Sequence, residues 1–277
     1  MNKLKKLFSM RHKNLLSVYF TAGYPQLEST IEIVPALQEA GADIVEIGMP
    51  FSDPVADGPV IQESSKRALA NGMTLKKLFA QLRTMKHRVH IPLVLMGYIN
   101  PVLQYGIRNF CADCANAGID GLILPDMPAP VYETEFAAEM HQYGLSSVFL
   151  VTPETSDSRI RYLDRLTTGF IYLVSDHRIT GGNIDLQESN FRYFQRIQSA
   201  GLSNPTLIGF GIGDHLSFTS ATQYASGAII GSAFIKMLEK SQDHAQDIIK
   251  FVRDIKVGPE TMNAESAGLE KSHAEFK

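Results

Sequence analysis

"CANAGIDGLILPD", residues 114–126, holds a helical stretch that stops at Gly118 and then a short apolar run before Pro125 and Asp126. A glycine just past a helix takes the left-handed conformation that closes it. An apolar run without alternation is how a strand covered on both faces reads. The arrangement recurs in "LQEAGADIVEIG" (37–48), "MHQYGLSSVFLVTP" (140–153) and "IQSAGLSNPTLIGFG" (197–211), with Gly41, Gly144 and Gly201 in the place of Gly118. Counting every such run predicts eight strands: 16–20, 44–47, 92–96, 121–124, 147–151, 170–174, 206–210 and 227–230. Helical stretches such as "STIEIVPALQEA" and "VYETEFAAEMHQY" lie between them. Eight βα units in 277 residues is the arithmetic of an α/β fold of the (β/α)₈, or TIM, barrel type. A doubly wound open sheet is the alternative that periodicity leaves open, and one helix per strand favours the barrel.

The barrel is expected as a single domain over residues 1–256. The stretch 257–277, "VGPETMNAESAGLEKSHAEFK", lacks apolar periodicity and is expected as a disordered tail. At the start, Leu4, Leu7 and Phe8 fall at helical spacing beside Lys3, Lys5 and Lys6, which predicts a short amphipathic helix docked on the body. Hydrophobic residues make up 44% of the chain and the formal net charge is -3, so bulk charge points to neither a nucleic acid nor a membrane surface. No apolar run approaches the roughly 18 residues of a membrane span. No secretory h-region follows the N-terminal lysines. Cys111 and Cys114 form a C-x-x-C pair, but inside a predicted helix rather than at a strand-to-helix turn where a thiol is activated. Two reduced, packed thiols fit that setting, and a cytoplasmic location with it.

Two strand-to-strand intervals exceed the rest: second to third, and sixth to seventh. Barrel chemistry is built from loops after the strands, so function is expected there. The first excess begins "DIVEIGMPFSDPVADGPVIQ" (43–62), with Glu46 near a strand end and Asp57 on the loop beyond. Each has a plain structural reading: Glu46 facing outward to a helix cation, Asp57 as an Asp-Gly turn. Together they suit a rigid general acid–base carboxyl in an apolar mouth and a loop carboxylate that stabilises developing positive charge. "GFGIG" (209–213) and "IIGSAF" (229–234) follow strands seven and eight, where glycine backbone and a helix N-terminus bearing Ser232 favour an anion. The second excess, "YLVSDHRITGGNIDLQ" (172–187), is long enough for a lid, and Thr180, Gly181 and Gly182 could complete the anion cradle. His177 reads as a solvated loop histidine. Phe20, Tyr98, Tyr172 and Phe210 all fall at or just past strand ends; core packing explains each alone, and four together suggest a flat apolar ligand. No metal motif is present, and the eight histidines are scattered.

From about Leu15 to Lys240 the chain resembles the tryptophan synthase alpha chain family, through "YFTAGYP", "EIGMPFSDPVADGPVIQ", "LMGYINP", "LPDMP", "FLVTPET", "YLVS", "GFGI" and "GAIIGSA" in that order. The "PFSDP…ADGPVIQ" element is highly specific; the glycine loops are shared with many barrels. The resemblance implies a lyase that cleaves indole-3-glycerol phosphate by a retro-aldol reaction to indole and glyceraldehyde 3-phosphate. Carried onto matching positions, it implies Glu46 as acid–base residue and Asp57 as the group that holds the indole N–H. It implies Gly181, Gly211, Gly231 and Ser232 at the phosphate, and Phe20, Tyr98, Tyr172, Thr180 and Phe210 around the substrate. It further implies no cofactor in this chain, a pyridoxal-phosphate beta chain as partner, and an alpha2beta2 assembly. Arg178 stands where the family often has glycine in Gly-Val-Thr-Gly, behind Asp176 and His177. Two rivals remain: another phosphate-binding barrel enzyme, which would want a lysine or a different acid–base pair at strand ends, and a catalytically weak subunit that activates a beta chain.

Overall fold

The computed structural model describes residues 2–175, 188–209 and 211–259. Eight strands, β1 (Leu15–Thr21), β2 (Ile44–Gly48), β3 (Leu93–Met96), β4 (Gly121–Ile123), β5 (Ser146–Val151), β6 (Ile171–Val174), β7 (Thr206–Gly209) and β8 (Gly227–Ile230), pair in chain order and close into a barrel. Every ladder is parallel, including the closing pair in which Leu15 faces Gly227. The open-sheet alternative is thereby excluded. The strands are buried almost throughout because the barrel interior covers one face and the helices the other. Gly41, Gly118, Gly144 and Gly201 all take positive φ, and at 83° Gly118 closes the helix Ile107–Ala117 with its N–H on the carbonyls of Cys114 and Ala115.

The long second interval holds two helices, Pro59–Ala70 and Leu75–Met85, behind the loop that carries Asp57. Cys111 and Cys114 are free, buried thiols on the helix Ile107–Ala117, and burial pushes both up. They are packing residues. The last described helix is His244–Val257, so Val257 ends a helix; the rest of the expected tail, from residue 260, lies outside the described residues. No helix of the described residues is long and apolar enough to cross a membrane.

The predicted N-terminal helix runs from Lys3 to Met10 and stoppers the foot of the barrel. Asn2 caps it, accepting from Leu4 N–H at 2.9 Å, and donates from its amide to the carbonyl of Gly144. Leu4 is fully buried beside Gly121 and Gly169, whose missing Cβ atoms leave it room. Two aspartates bind the foot together. Asp120 accepts from the backbone N–H of Lys3 and of Leu93. Asp43 accepts from Leu16 N–H and pairs with Arg11 and with Lys256 of the last helix. The first helix and the last described helix are thus both fastened at the N-terminal rim.

Candidate active site

At the C-terminal rim, the register Tyr19↔Glu46 puts these side chains on one face of the sheet, and Ser17 projects from that face one layer lower. Ser17 Oγ donates to Glu46 Oε1 at 2.7 Å, so Glu46 points into the barrel, not outward to a helix. Glu46 is fully buried and makes no salt bridge among the described residues. Burial pushes its carboxyl up to about 7, against the opposing pull of the Ser17 hydrogen bond. That is the range in which a carboxyl can both give and take a proton near neutrality.

Asp57 lies on the loop after β2. Burial raises its carboxyl, and donation from the Tyr98 phenol to Oδ2, at 3.1 Å, lowers it. Tyr98 also accepts from Ala56 N–H at 3.0 Å, so two neighbouring loop residues hang on one phenol. Tyr98 itself is held at the end of β3 against the ring of Phe51, 5.3 Å between centroids.

One cavity joins these parts. Its walls include Tyr19, Asp57, Met96, Leu150, Tyr172 and Ile229, together with Gly211, Gly231 and Ser232. Glu46 lies behind the lining, within electrostatic reach of both Tyr19 and Tyr172. Burial pushes both of these phenols well up, which keeps them neutral. Ser232 opens the helix Ser232–Lys240 with Gly231 at its N-cap, so unpaired backbone N–H groups and the positive end of the helix dipole face the cavity. Gly211, at φ 73°, brings a second backbone segment to the same wall.

The structure therefore brings together Glu46, Asp57, Tyr98, Tyr172, Gly211, Gly231 and Ser232 from the sequence-predicted set. Phe20 is a correction. It pairs with Ile47 and alternates to the face opposite Tyr19, where it is fully buried away from the cavity. Tyr19 takes the place expected for Phe20. Thr180, Gly181 and Phe210 lie outside the described residues, as do Asp176, His177, Arg178 and Gly182. Sequence reasoning missed both Tyr19 and Ser17. A signal for them exists in "LSVYFT" (16–21), where the hydroxyls of Ser17, Tyr19 and Thr21 alternate with the apolar Leu16, Val18 and Phe20. Among the described residues no group of three or more His, Cys, Asp or Glu could hold a metal ion.

Comparison with known proteins points to one family. The model of the tryptophan synthase alpha chain family matches residues 5–266. The tryptophan synthase alpha chain of Flavobacterium johnsoniae is 52% identical, over 88% of this chain and 96% of that one. That of Christiangramia forsetii is 49% identical, over 92% and 99%. Among solved structures, a chain of the Pyrococcus furiosus tryptophan synthase complex superposes with a TM-score of 0.80 at 35% identity, covering 89% of this chain and 99% of that chain. A chain of Mycobacterium tuberculosis tryptophan synthase does so at 0.81 and 27%, covering 93% and 99%. With a family model over most of its length and close relatives matched nearly end to end, the chain belongs to the tryptophan synthase alpha chain family.

Proposed function

We propose that this chain, the alpha subunit of tryptophan synthase, cleaves indole-3-glycerol phosphate with Glu46 as its acid–base residue and Asp57 as its electrostatic partner. The family role is a lyase step in tryptophan biosynthesis. The observation that supports the residue roles is a buried carboxyl raised to about 7 beside the two phenols of a cavity whose lining also holds a loop carboxylate and a helix N-terminus.

In this scheme the phosphate rests against the backbone of Gly211 and Gly231 and the Ser232 hydroxyl, where N–H groups and the helix dipole favour an anion. Gly181 and Thr180 are proposed to complete that grip. The indole ring lies between Tyr19 and Tyr172, with Met96, Leu150 and Ile229 excluding water. Protonated Glu46 gives its proton to indole C3, and the ring becomes an indolenium-like cation. Asp57 accepts the indole N–H and stabilises that charge at short range in a dry site, where it counts for most. Glu46, now ionised, takes the proton of the hydroxyl on the adjoining glycerol carbon. The C–C bond breaks, its electron pair restores the indole, and glyceraldehyde 3-phosphate leaves. Glu46 ends the cycle protonated, as it began.

The partner is the tryptophan synthase beta chain. We propose an alpha2beta2 assembly in the cytoplasm, with pyridoxal phosphate confined to the beta chain and indole consumed there. The test is a spectroscopic assay of indole release from indole-3-glycerol phosphate by the purified chain, with and without a beta chain. Slow release that the beta chain accelerates supports the lyase scheme. No release in either case, with the beta chain still stimulated, would make the chain an activating subunit.

A further inference from the structure

Ser17 is fully buried, and in its layer of the barrel its hydroxyl serves the Glu46 carboxyl. At 2.7 Å the bond to Oε1 has the ordinary length of a well-formed O–H···O hydrogen bond. Glu46 Oε2, equally buried, has no hydrogen-bond partner among the described residues. One carboxyl thus has one oxygen anchored and one left open, although a buried acceptor without a donor is costly. A valine would suit a doubly covered strand better than a serine does, so the hydroxyl calls for a reason beyond packing.

We infer that Ser17 is a positioning residue for Glu46: by donating to Oε1 it keeps that oxygen an acceptor, so that Oε2 alone carries the proton to and from substrate. The chemistry follows from proton count. A carboxylic acid has one O–H, and with Ser17 donating into Oε1 the proton sits on Oε2. It leaves from Oε2 to indole C3, and the proton of the glycerol hydroxyl returns to Oε2. Ser17 keeps its own proton throughout, and its bond shortens the reorganisation between the two halves of the reaction by stabilising the ionised form. Turning the carboxyl over would aim its O–H at Ser17 Oγ and reverse the bond, leaving the Ser17 hydrogen to find another acceptor, so the geometry favours the orientation with Oε1 as acceptor. Among the described residues the titratable groups within electrostatic reach of Glu46 are Tyr19 from β1 and Tyr172 from β6, and Asp57, on the loop after β2, acts on the same two phenols. Both phenols stay neutral near pH 7. Among the described residues Ser17 is the one group that pulls the Glu46 carboxyl downward against its burial.

This inference rests on the acid–base role of Glu46, and the experiment separates the two. Indole release is measured against pH for the chain assembled with its beta partner, carrying Ser17→Ala, Ser17→Thr or Glu46→Gln. Because the protonated acid begins the reaction, activity falls on the alkaline side as Glu46 loses its proton. Removing a donor to the ionised form shifts that alkaline limb upward. Ser17→Ala is expected to lower kcat at least about tenfold with KM within about twofold, and to move the limb up by about one pH unit. Ser17→Thr, which keeps the hydroxyl, is expected to restore the limb and most of kcat. If Ser17→Ala fails to assemble with the beta chain, Ser17→Cys, similar in shape but a weak donor, is read for the same shift. An unmoved limb in the Ala or Cys variant, or a Thr variant no better than Ala, overturns the inference while an inactive Glu46→Gln leaves the role of Glu46 standing. An active Glu46→Gln removes that role instead.

Discussion

Tyr98 reaches from the end of β3 to the loop behind β2, where its phenol donates to Asp57 at 3.1 Å while accepting from Ala56 N–H at 3.0 Å. One side chain therefore both charges and shapes the loop proposed to meet the substrate. Tyr98→Phe removes both bonds and keeps the ring that packs on Phe51. The expected result is a fall in kcat/KM of about tenfold, the worth of roughly 1.4 kcal/mol of hydrogen bonding. With its donor lost, Asp57 rises further, so the acidic limb of the pH profile moves to higher pH. Steady-state kinetics across pH checks both; a profile unchanged in height and position would detach Tyr98 from the chemistry.

Glu46→Gln separates activity from stability. Lyase turnover is expected to fall by about 10³-fold or more, the scale on which a positioned acid–base group acts. Stability should move the other way. The folded-state carboxyl sits at about 7 against an ordinary 4.5, so the unfolded chain ionises first as pH rises. The wild type loses stability relative to the Gln variant between about pH 4.5 and 7, by up to about 3 kcal/mol, and keeps that deficit at higher pH. Below pH 4.5 both states are protonated and the difference vanishes. Urea denaturation of the two proteins at pH 5 and pH 8 checks the sign, and a variant less stable at pH 8 would contradict the buried acid.

Asp57→Asn is expected to be severely impaired yet more active than Glu46→Gln. The amide can still accept the indole N–H through its carbonyl oxygen, but it supplies no charge to the developing cation. The comparison is made on kcat for indole release. Equal loss in the two variants would give Asp57 a part in proton transfer.

Gly48, directly above Glu46 on the same face of β2, is where the Tyr19 phenol rests, and a Cβ there would run into the hydroxyl end of the ring. Gly48→Ala therefore pushes Tyr19 across the mouth of the cavity. KM for indole-3-glycerol phosphate is expected to rise at least about tenfold, with a stability loss of about 1–3 kcal/mol from overpacking. Substrate titration and thermal melting test the two parts separately.

Leu4 fills the foot of the barrel, at the end opposite the cavity. Leu4→Ala is expected to cost about 2–5 kcal/mol through the cavity it leaves, while kcat of the folded enzyme stays within about twofold. Chemical denaturation beside an activity assay at low temperature decides this. A large kcat effect at full folding would couple the two ends of the barrel.

Much of this architecture lies open in one dimension. Strands buried on both faces must be apolar throughout, so the runs around Val45, Leu122 and Val148 mark themselves, and Gly118 marks the helix stop beside them. Glu46 inside such a run and Asp57 on the loop beyond it stand out as a pair, although each alone also has a plain structural reading. The same continuity hides direction. When both faces are apolar, the pattern of a strand does not say which residues point inward, and in β1 only the alternating hydroxyls of Ser17, Tyr19 and Thr21 favour Tyr19 over Phe20 at the mouth. Ring closure decides it. The register Tyr19↔Glu46, carried around eight strands to Leu15↔Gly227, sets every parity at once and turns Ser17, Tyr19 and Glu46 to the interior together. The sequence by itself determined how many strands there are, where they lie and which carboxyls are out of place. Which oxygen of Glu46 is anchored, and by whom, depended on two strands meeting in one register, a relation between residues 29 positions apart that no local pattern contains.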